Sequence, residues 1–213
     1  MVAISRAIHN APAATRAFID THTLATVEKR NYLVETFLDA PDEKWLLTID
    51  SDMTPPQDIA VLLLEAAGVP GRDIVAALYY SRHGFPFHPA AGYWAGDDLA
   101  PSCMSTDEID GSVRRVDWAG TGCMLIRRRV LERLAATRGR SIFRSIEIGG
   151  RPTGRGEDLE FCRAAGAEGF GIYCATHIVA GHLGLVEINA DFISHLKTSG
   201  TETPPPDLRG RIR

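Results

Sequence analysis

Two short apolar runs that are rich in strand-forming residues lie on either side of a helical stretch. Residues 45–49 form the first run, residues 57–67 the helical stretch and residues 73–80 the second run. Pro55 and Pro56 suit a helix start, because proline lacks the N–H group that the first helical turn leaves unpaired. An alternation of strand, helix and strand predicts an α/β fold whose sheet is at least partly parallel.

The rest of the chain continues this alternation, with one interruption. Residues 81–111 combine aromatic residues, glycines and prolines without a period, and we expect them to lack regular structure and to carry function. The remaining pattern predicts a short strand near residues 2–4, helices at 26–39, 127–136 and from 157 to 166 or 169, and strands at 113–118, 123–126 and 171–174.

Length and composition limit the possible classes. The 213 residues suffice for one domain with its own core, which we place at residues 1–198, followed by a polar, proline-rich tail at 199–213. A net charge of −4 gives no reason to expect nucleic-acid binding, and no apolar run has the length of a membrane segment. The four cysteines include no C-x-x-C pair, and the first residues lack a signal-peptide pattern, so we expect a cytoplasmic protein.

Asp50 and Asp52 follow directly after the first apolar run. A turn with a helix cap is one explanation for two aspartates at this place. A cation site is the other, because ligands gather at the carboxyl ends of strands in α/β sheets, and carboxylate oxygens suit Mg²⁺ or Mn²⁺. The spacing alone leaves both interpretations open.

A second acidic pair, Glu157 and Asp158, opens a predicted helix. Acidic residues in a first turn complement the helix dipole, which is a purely structural role. The same dipole favours an ionised carboxylate, and an ionised carboxylate that faces a cleft can act as a general base.

Two further segments combine glycine with residues that can carry chemistry. His182 lies in "GHLG", where the glycines permit a close approach of the backbone, although a single histidine is more often structural. Gly120, Thr121 and Gly122 form a "GTG" segment, which indicates either a tight turn or a close contact. The sequence has neither a P-loop pattern nor a G-x-S-x-G elbow, which disfavours P-loop enzymes and serine hydrolases.

The order of these segments resembles the glycosyltransferases of the GT-A fold, in particular the large family-2-type group that uses nucleotide sugars. The resemblance spans about residues 29–184 and rests on "RNYLV", "IDSD", "PP", "DIVAALYYSR", "WAGTGCMLIRR", "GEDLEFCRAAGAEGF" and "GHLG". It implies that residues 1–198 are a catalytic domain, built as a three-layer α/β sandwich with a mixed, mostly parallel sheet.

The resemblance implies a metal site and a donor site. Asp52 matches the aspartate that binds Mn²⁺ or Mg²⁺ at the donor diphosphate, and His182 matches the late histidine that completes the metal site in some members. Asp50 would join them or reach the ribose of the donor. Arg30 and Arg82 occupy positions where a cation near the donor is plausible.

The resemblance also implies a base and an acceptor pocket. Asp158 of the Glu157–Asp158 pair would deprotonate the acceptor hydroxyl in an inverting reaction, while a retaining route stays open. Gly120, Thr121 and Gly122 match the segment that lines the pocket for donor sugar and acceptor. We therefore expect metal-dependent transfer of a sugar from a nucleotide sugar to a hydroxyl of a glycan, a small molecule or a protein.

Two other functions compete with this expectation. One is an inactive GT-A-like module that binds a glycan or protein through the aromatic residues Phe85, Phe87, Tyr93 and Trp94. The other is a nucleotidyltransferase, which is disfavoured because no glycine- and lysine-rich triphosphate loop follows the first strand. The front end also departs from the family, since only residues 2–4 offer a first strand, and the nucleoside-binding part is therefore short or unusual.

Overall fold

The structure, a computed structural model, describes residues 26–82, 87–95, 100–145, 147–148, 151–152, 156–184, 189–190 and 193–194. The strand predicted at 2–4, the tail at 199–213 and Phe85 lie outside these residues. The described helices are α1 (Thr26–Leu38), α2 (Ile59–Ala66), α3 (Arg128–Arg138) and α4 (Glu157–Ala167), with one 3-10 turn at Thr106–Glu108. The described strands are β1 (Trp45–Ile49), β2 (Met53–Thr54), β3 (Ile74–Leu78), β4 (Ala91–Ala95), β5 (Ala100–Cys103), β6 (Val113–Val116), β7 (Trp118–Ala119), β8 (Cys123–Arg127), β9 (Glu147–Ile148), β10 (Arg151–Pro152), β11 (Ile172–Val179) and β12 (Gly181–His182).

The core is a sheet between two layers of helices. Alternate residues of β3 face opposite sides, as the two-residue period of a strand requires. Ile74, Ala76 and Leu78 join an apolar cluster to which α1, α3 and α4 contribute, and Val75 and Ala77 join a second cluster with α2. The expected three-layer α/β arrangement is therefore present in the described residues.

The main sheet has the strand order β1-β8-β3-β11-β6. Among its four pairings, β3–β11 is parallel and the other three are antiparallel. A mixed sheet is confirmed, whereas the expectation of a mostly parallel sheet is wrong for the described strands. The reason is the direction of β8. It begins at the sheet edge where β1 ends, with the Asp50 N–H donating to the Gly122 carbonyl at 2.9 Å, so it runs antiparallel to both of its neighbours, β1 and β3.

The stretch 81–111 contains more regular structure than its sequence predicts. β4 pairs with β5 and with β7 in a separate three-stranded sheet. Gly92 belongs there because a Cβ at this position would lie 1.9 Å from the Ser102 carbonyl oxygen. Pro101 is tolerated because β5 is an edge strand. Glycine and proline at these positions hide the strand period, so the expectation of an irregular segment is wrong.

None of the helices in the described part of the chain has the length and apolar character of a membrane span.

Candidate functional site

Strand direction brings four separate segments to one edge of the main sheet. β1 and β3 are both antiparallel to β8, and β11 is parallel to β3, so β1, β3 and β11 all end at the same edge. β8 starts there, and β12 pairs with β2 so that His182 lies opposite Met53. The carboxyl ends of strands are the usual ligand site of α/β sheets.

Arg30 of α1 lies at the centre of an acidic cluster at this edge. Its Nη1 donates to Glu157 Oε1 at 2.6 Å and also to Asp158 Oδ1. Its Nη2 donates to both oxygens of Asp50, at 2.8 and 3.1 Å. We call Arg30, Asp50, Glu157 and Asp158 the Arg30 cluster. One guanidinium therefore joins the end of β1 to the start of α4.

The charges in the Arg30 cluster affect one another strongly. Burial by itself would lower the pKa of Arg30, but the carboxylates of Asp158, Asp50 and Glu157 outweigh it and raise this pKa above its ordinary value. Burial and the adjacent Asp158 carboxylate raise the pKa of Glu157, although Arg30 opposes them. Arg30 is therefore a permanent cation, and Glu157 is the member of the cluster that takes up a proton more readily than usual.

Asp158 is oriented by a short chain of hydrogen bonds. Thr121 Oγ1 donates to Asp158 Oδ1 at 2.7 Å, and Thr48 Oγ1 of β1 donates to the Thr121 carbonyl at 2.7 Å. Thr121 is fully buried, so its side chain supports Asp158 from the interior of the protein and is not exposed to a ligand. The Asp158 side chain remains 26% exposed. This carboxylate is thus held in place while part of it stays open to a substrate.

Tyr79, directly after β3, is a site residue that the sequence interpretation missed. The Gly122 N–H donates to its hydroxyl at 3.3 Å, and a Cβ on Gly120 would lie only 1.8 Å from the same oxygen. Burial, followed by the charges of Asp158 and Asp50, raises the pKa of Tyr79 well above its ordinary value, so the hydroxyl stays neutral. The glycines at 120 and 122 are explained by this close contact, and the available signal was a tyrosine just after a buried strand.

A second group, which we call the Asp52 cluster, contains Asp52, Arg82 and His182. Asp52 Oδ2 lies 2.5 Å from Arg82 Nη1 and 3.7 Å from His182 Nε2. His182 Nδ1 lies 2.9 Å from the Tyr80 carbonyl oxygen, which can only accept, so Nδ1 carries the proton. The Nε2 lone pair of a neutral His182 is therefore free on the side of Asp52. The ring of Tyr79 contacts the His182 ring edge-on, with centroids 5.5 Å apart, and so lies between the two clusters.

The residues at this edge allow a test of the metal site that the resemblance implies. In the described part of the chain, no group of three or more His, Cys, Asp and Glu side chains is arranged to hold a metal ion. Asp50 is bound to the buried Arg30, whereas Asp52 is bound to the more exposed Arg82 and faces His182, so Asp52 and His182 are the two candidate ligands. Asp52 suits Mg²⁺ or Mn²⁺, because Mg²⁺ is commonly held by one or two carboxylates together with substrate phosphates. His182 would add one imidazole nitrogen to this oxygen ligand.

The balance of charge also favours a cation. The two clusters together contain four carboxylates, at Asp50, Asp52, Glu157 and Asp158, and two arginines, at Arg30 and Arg82. With all four carboxylates ionised, four negative charges minus two positive charges leave a net charge of −2. A phosphate ligand would be repelled by this excess unless a divalent cation balanced it.

The aromatic residues of the alternative binding surface have partners within the fold. Tyr93 Oη donates to Glu108 Oε1 at 2.6 Å, and this hydrogen bond, with burial, raises the pKa of Tyr93 to about 12. Tyr93 and Trp94 pack against the first apolar cluster, and Phe87 packs against a small cluster of Tyr80 and Ile193. These three side chains therefore pack within the fold.

Comparison with known proteins gives a structural likeness. The fold is similar to that in a crystal structure of A197 from STIV, with a TM-score of 0.55 and 19% sequence identity, over 85% of this chain and 78% of that chain. At this identity the likeness shows the fold alone. No protein-family model matches the sequence, and no curated protein matches it either.

Proposed function

We propose that this chain is a metal-dependent glycosyltransferase of the GT-A type, which transfers a sugar from a nucleotide-sugar donor to an acceptor hydroxyl. One observation carries the proposal: Asp52, His182 and Asp158, which come from distant segments, lie around Tyr79 at the carboxyl-end edge of one sheet. A candidate cation site beside a candidate base is what transfer from a diphosphate donor requires.

In this proposal Asp52 and His182 hold the Mn²⁺ or Mg²⁺ ion. When bound, the ion supplies positive charge for the nucleoside diphosphate that leaves. Asp50 has a supporting role toward the donor, since its side chain is 41% exposed although it is paired with Arg30. Gly120 and Gly122 leave room for the Tyr79 hydroxyl, and the Tyr79 side chain lies between the two clusters.

Asp158 is the proposed general base. During transfer, the acceptor oxygen forms a bond to the anomeric carbon, the bond from that carbon to the diphosphate oxygen breaks, and the acceptor proton goes to Asp158. An alcohol has a pKa far above neutrality, so a positioned carboxylate must take the proton as the bond forms. Thr121 and Arg30 contact Oδ1 of this carboxylate and thereby fix its orientation.

The inactive binding module is the weaker candidate. Its aromatic side chains within the described residues are engaged with the fold, and Tyr93 is bonded to Glu108. A module without chemistry also has no need for an acidic pair and an oriented histidine at the same edge. We therefore retain the glycosyltransferase as the proposed function.

Thermal denaturation with a panel of UDP-, GDP-, CMP- and dTDP-sugars, with and without Mn²⁺, tests the proposal. We expect one nucleotide class to raise the melting temperature only when Mn²⁺ is present, because a ligand that binds the folded state alone stabilises it. Asp52→Ala should remove this stabilisation. Asp158→Asn should keep it and lower turnover by about 10²–10⁴-fold. No shift with any donor would favour the binding module, and wild-type turnover in Asp158→Asn would refute the assigned base.

A further inference from the structure

The two arginines of the site are held very differently. The Arg30 side chain is 7% exposed and contacts three carboxylates, so it is fixed. The Arg82 side chain is 37% exposed, and among the described residues it contacts one carboxylate, that of Asp52. Its second contact is a donation to the Leu183 carbonyl at 3.0 Å.

Arg82 occupies the place that a cation bound to Asp52 would need. Its Nη1 is 2.5 Å from Asp52 Oδ2, the same oxygen that faces His182 Nε2 at 3.7 Å. A backbone hydrogen bond holds the two segments that carry Asp52 and His182 together, because the Leu183 N–H donates to the Asp52 carbonyl at 2.7 Å. A divalent ion held by Asp52 and His182 would meet the Arg82 charge at contact distance, and like charges at that distance repel strongly. Arg82 must therefore leave Asp52 when a metal ion binds.

A displaced arginine needs a new anionic partner, and a diphosphate is a suitable one, because the guanidinium fork matches phosphate oxygens. We propose that Arg82 is an exchangeable counter-ion: it pairs with Asp52 in the ligand-free protein and moves to the donor diphosphate when metal and nucleotide bind together. This inference rests on the proposed function, because it uses the same metal and donor sites.

The exchange makes metal and nucleotide binding cooperative. Metal alone must displace Arg82 and leave it without an anionic partner, whereas metal with a diphosphate gives Arg82 a replacement for Asp52. Coupling of this kind is reciprocal, so each ligand must strengthen the binding of the other by the same factor. Removing the Arg82 charge should therefore strengthen the binding of metal alone and weaken the coupling.

Isothermal titration with Mn²⁺, alone and with saturating UDP, GDP, CDP or dTDP, tests the inference without any turnover. In the wild type we expect weak Mn²⁺ binding that one nucleotide strengthens by roughly 5- to 150-fold. Arg82→Gln should bind Mn²⁺ alone at least several-fold more tightly than the wild type, and the nucleotide should strengthen its Mn²⁺ binding by a smaller factor than in the wild type. Arg82→Lys, which keeps the charge, should stay close to the wild type for Mn²⁺ alone.

Two controls separate the possible failures. Arg140→Gln removes an arginine from an exposed ion pair with Asp39, a residue of neither cluster, and this variant should titrate like the wild type. Asp52→Asn should abolish the Mn²⁺ signal and so locate it. Equal Mn²⁺ affinity of an Asp52-dependent site in wild type and Arg82→Gln, or no nucleotide effect in the wild type, would overturn the exchange and leave the metal site standing. Mn²⁺ binding that is absent or independent of Asp52 in every variant would overturn both the exchange and the proposed function.

Discussion

Replacing Arg30 by glutamine removes the one cation that three carboxylates of the site share. The side chain keeps some hydrogen-bonding capacity but leaves Asp50, Glu157 and Asp158 close together without a compensating charge. Breaking a buried ion pair destabilises a protein by about 3–5 kcal/mol. We expect about 3 kcal/mol here at neutral pH, the lower end of that range, because water reaches part of the Asp50 and Asp158 side chains and screens their repulsion.

The destabilisation should depend on pH, with a definite sign. The pKa of Glu157 is already raised above its ordinary value of 4.5 by burial and by Asp158, with Arg30 opposing the shift. Without Arg30 this pKa rises further, so the folded variant holds protons more tightly than the unfolded chain. Folding of the variant is then favoured at low pH, and stability is lost as the pH rises from 4.5 through the folded-state pKa. The gap between wild type and Arg30→Gln should therefore be smaller near pH 5 than near pH 7.5.

Urea denaturation followed by circular dichroism at the two pH values measures this difference. Arg140→Gln is the matched control, because Arg140 pairs with Asp39 on the surface and its loss should leave the unfolding midpoint unchanged at both pH values. A gap of the same size at both pH values would show that Arg30 acts through packing and hydrogen bonds, and would refute the electrostatic explanation.

Two further predictions concern the turn beside the Arg30 cluster. Gly120→Ala places a Cβ 1.8 Å from the Tyr79 hydroxyl oxygen and should lower the free energy of unfolding by about 1–3 kcal/mol. Gly166→Ala in α4, where a Cβ meets nothing within 4 Å, should raise it by about 0.5–1 kcal/mol in the same urea assay; effects of equal sign would contradict the close contact. Thr121→Val removes the hydroxyl that donates to Asp158, so we expect kcat to fall by up to about 100-fold while KM for the donor changes little and Thr121→Ser restores activity. A wild-type kcat in the valine variant would exclude Thr121 as a positioning residue.

Much of the fold follows from local sequence patterns. The helix predicted at 26–39 is Thr26–Leu38, and the strand predicted at 45–49 is Trp45–Ile49, because an apolar period and a bounding aspartate are visible within a few residues. The strand predicted at 171–174 is longer, Ile172–Val179. The predicted end was too early because Thr176 looks like a polar residue that ends a strand. In the structure Thr176 is buried within the strand, and its hydroxyl donates to the Ser112 carbonyl at 2.8 Å, a partner that no local pattern reveals.

The sequence named most residues of the site, but it missed Tyr79 directly after β3, and it placed Arg30 near a donor without indicating that three carboxylates surround it. Asp52 and Asp158 could be placed at the sheet edge from their neighbours in sequence. Arg30 lies within α1, where a single arginine usually faces solvent, and its partners Glu157 and Asp158 are 127 and 128 positions away. Its central position depends on how α1 packs against the sheet, which is a property of the whole fold. Asp50 was expected either to join Asp52 at the ion or to reach the ribose of the donor, and in the structure Asp50 pairs with Arg30 and Asp52 with Arg82.

This separation of the two aspartates divides the site into a structural half and an exchangeable half. The Arg30 cluster is buried around its cation and is tied to Thr121 and α4, so its contacts are part of the folding energy. The Asp52–Arg82 pair is about one-third exposed on both sides, and ion pairs of that kind contribute only about 0–1 kcal/mol. Substitutions at Asp52 or Arg82 should therefore change ligand binding while the unfolding free energy stays near that of the wild type, whereas Arg30→Gln should lower both. A protein that must exchange one cation for another can do so only where the first is weakly held, and of the two clusters only that of Asp52 meets this condition.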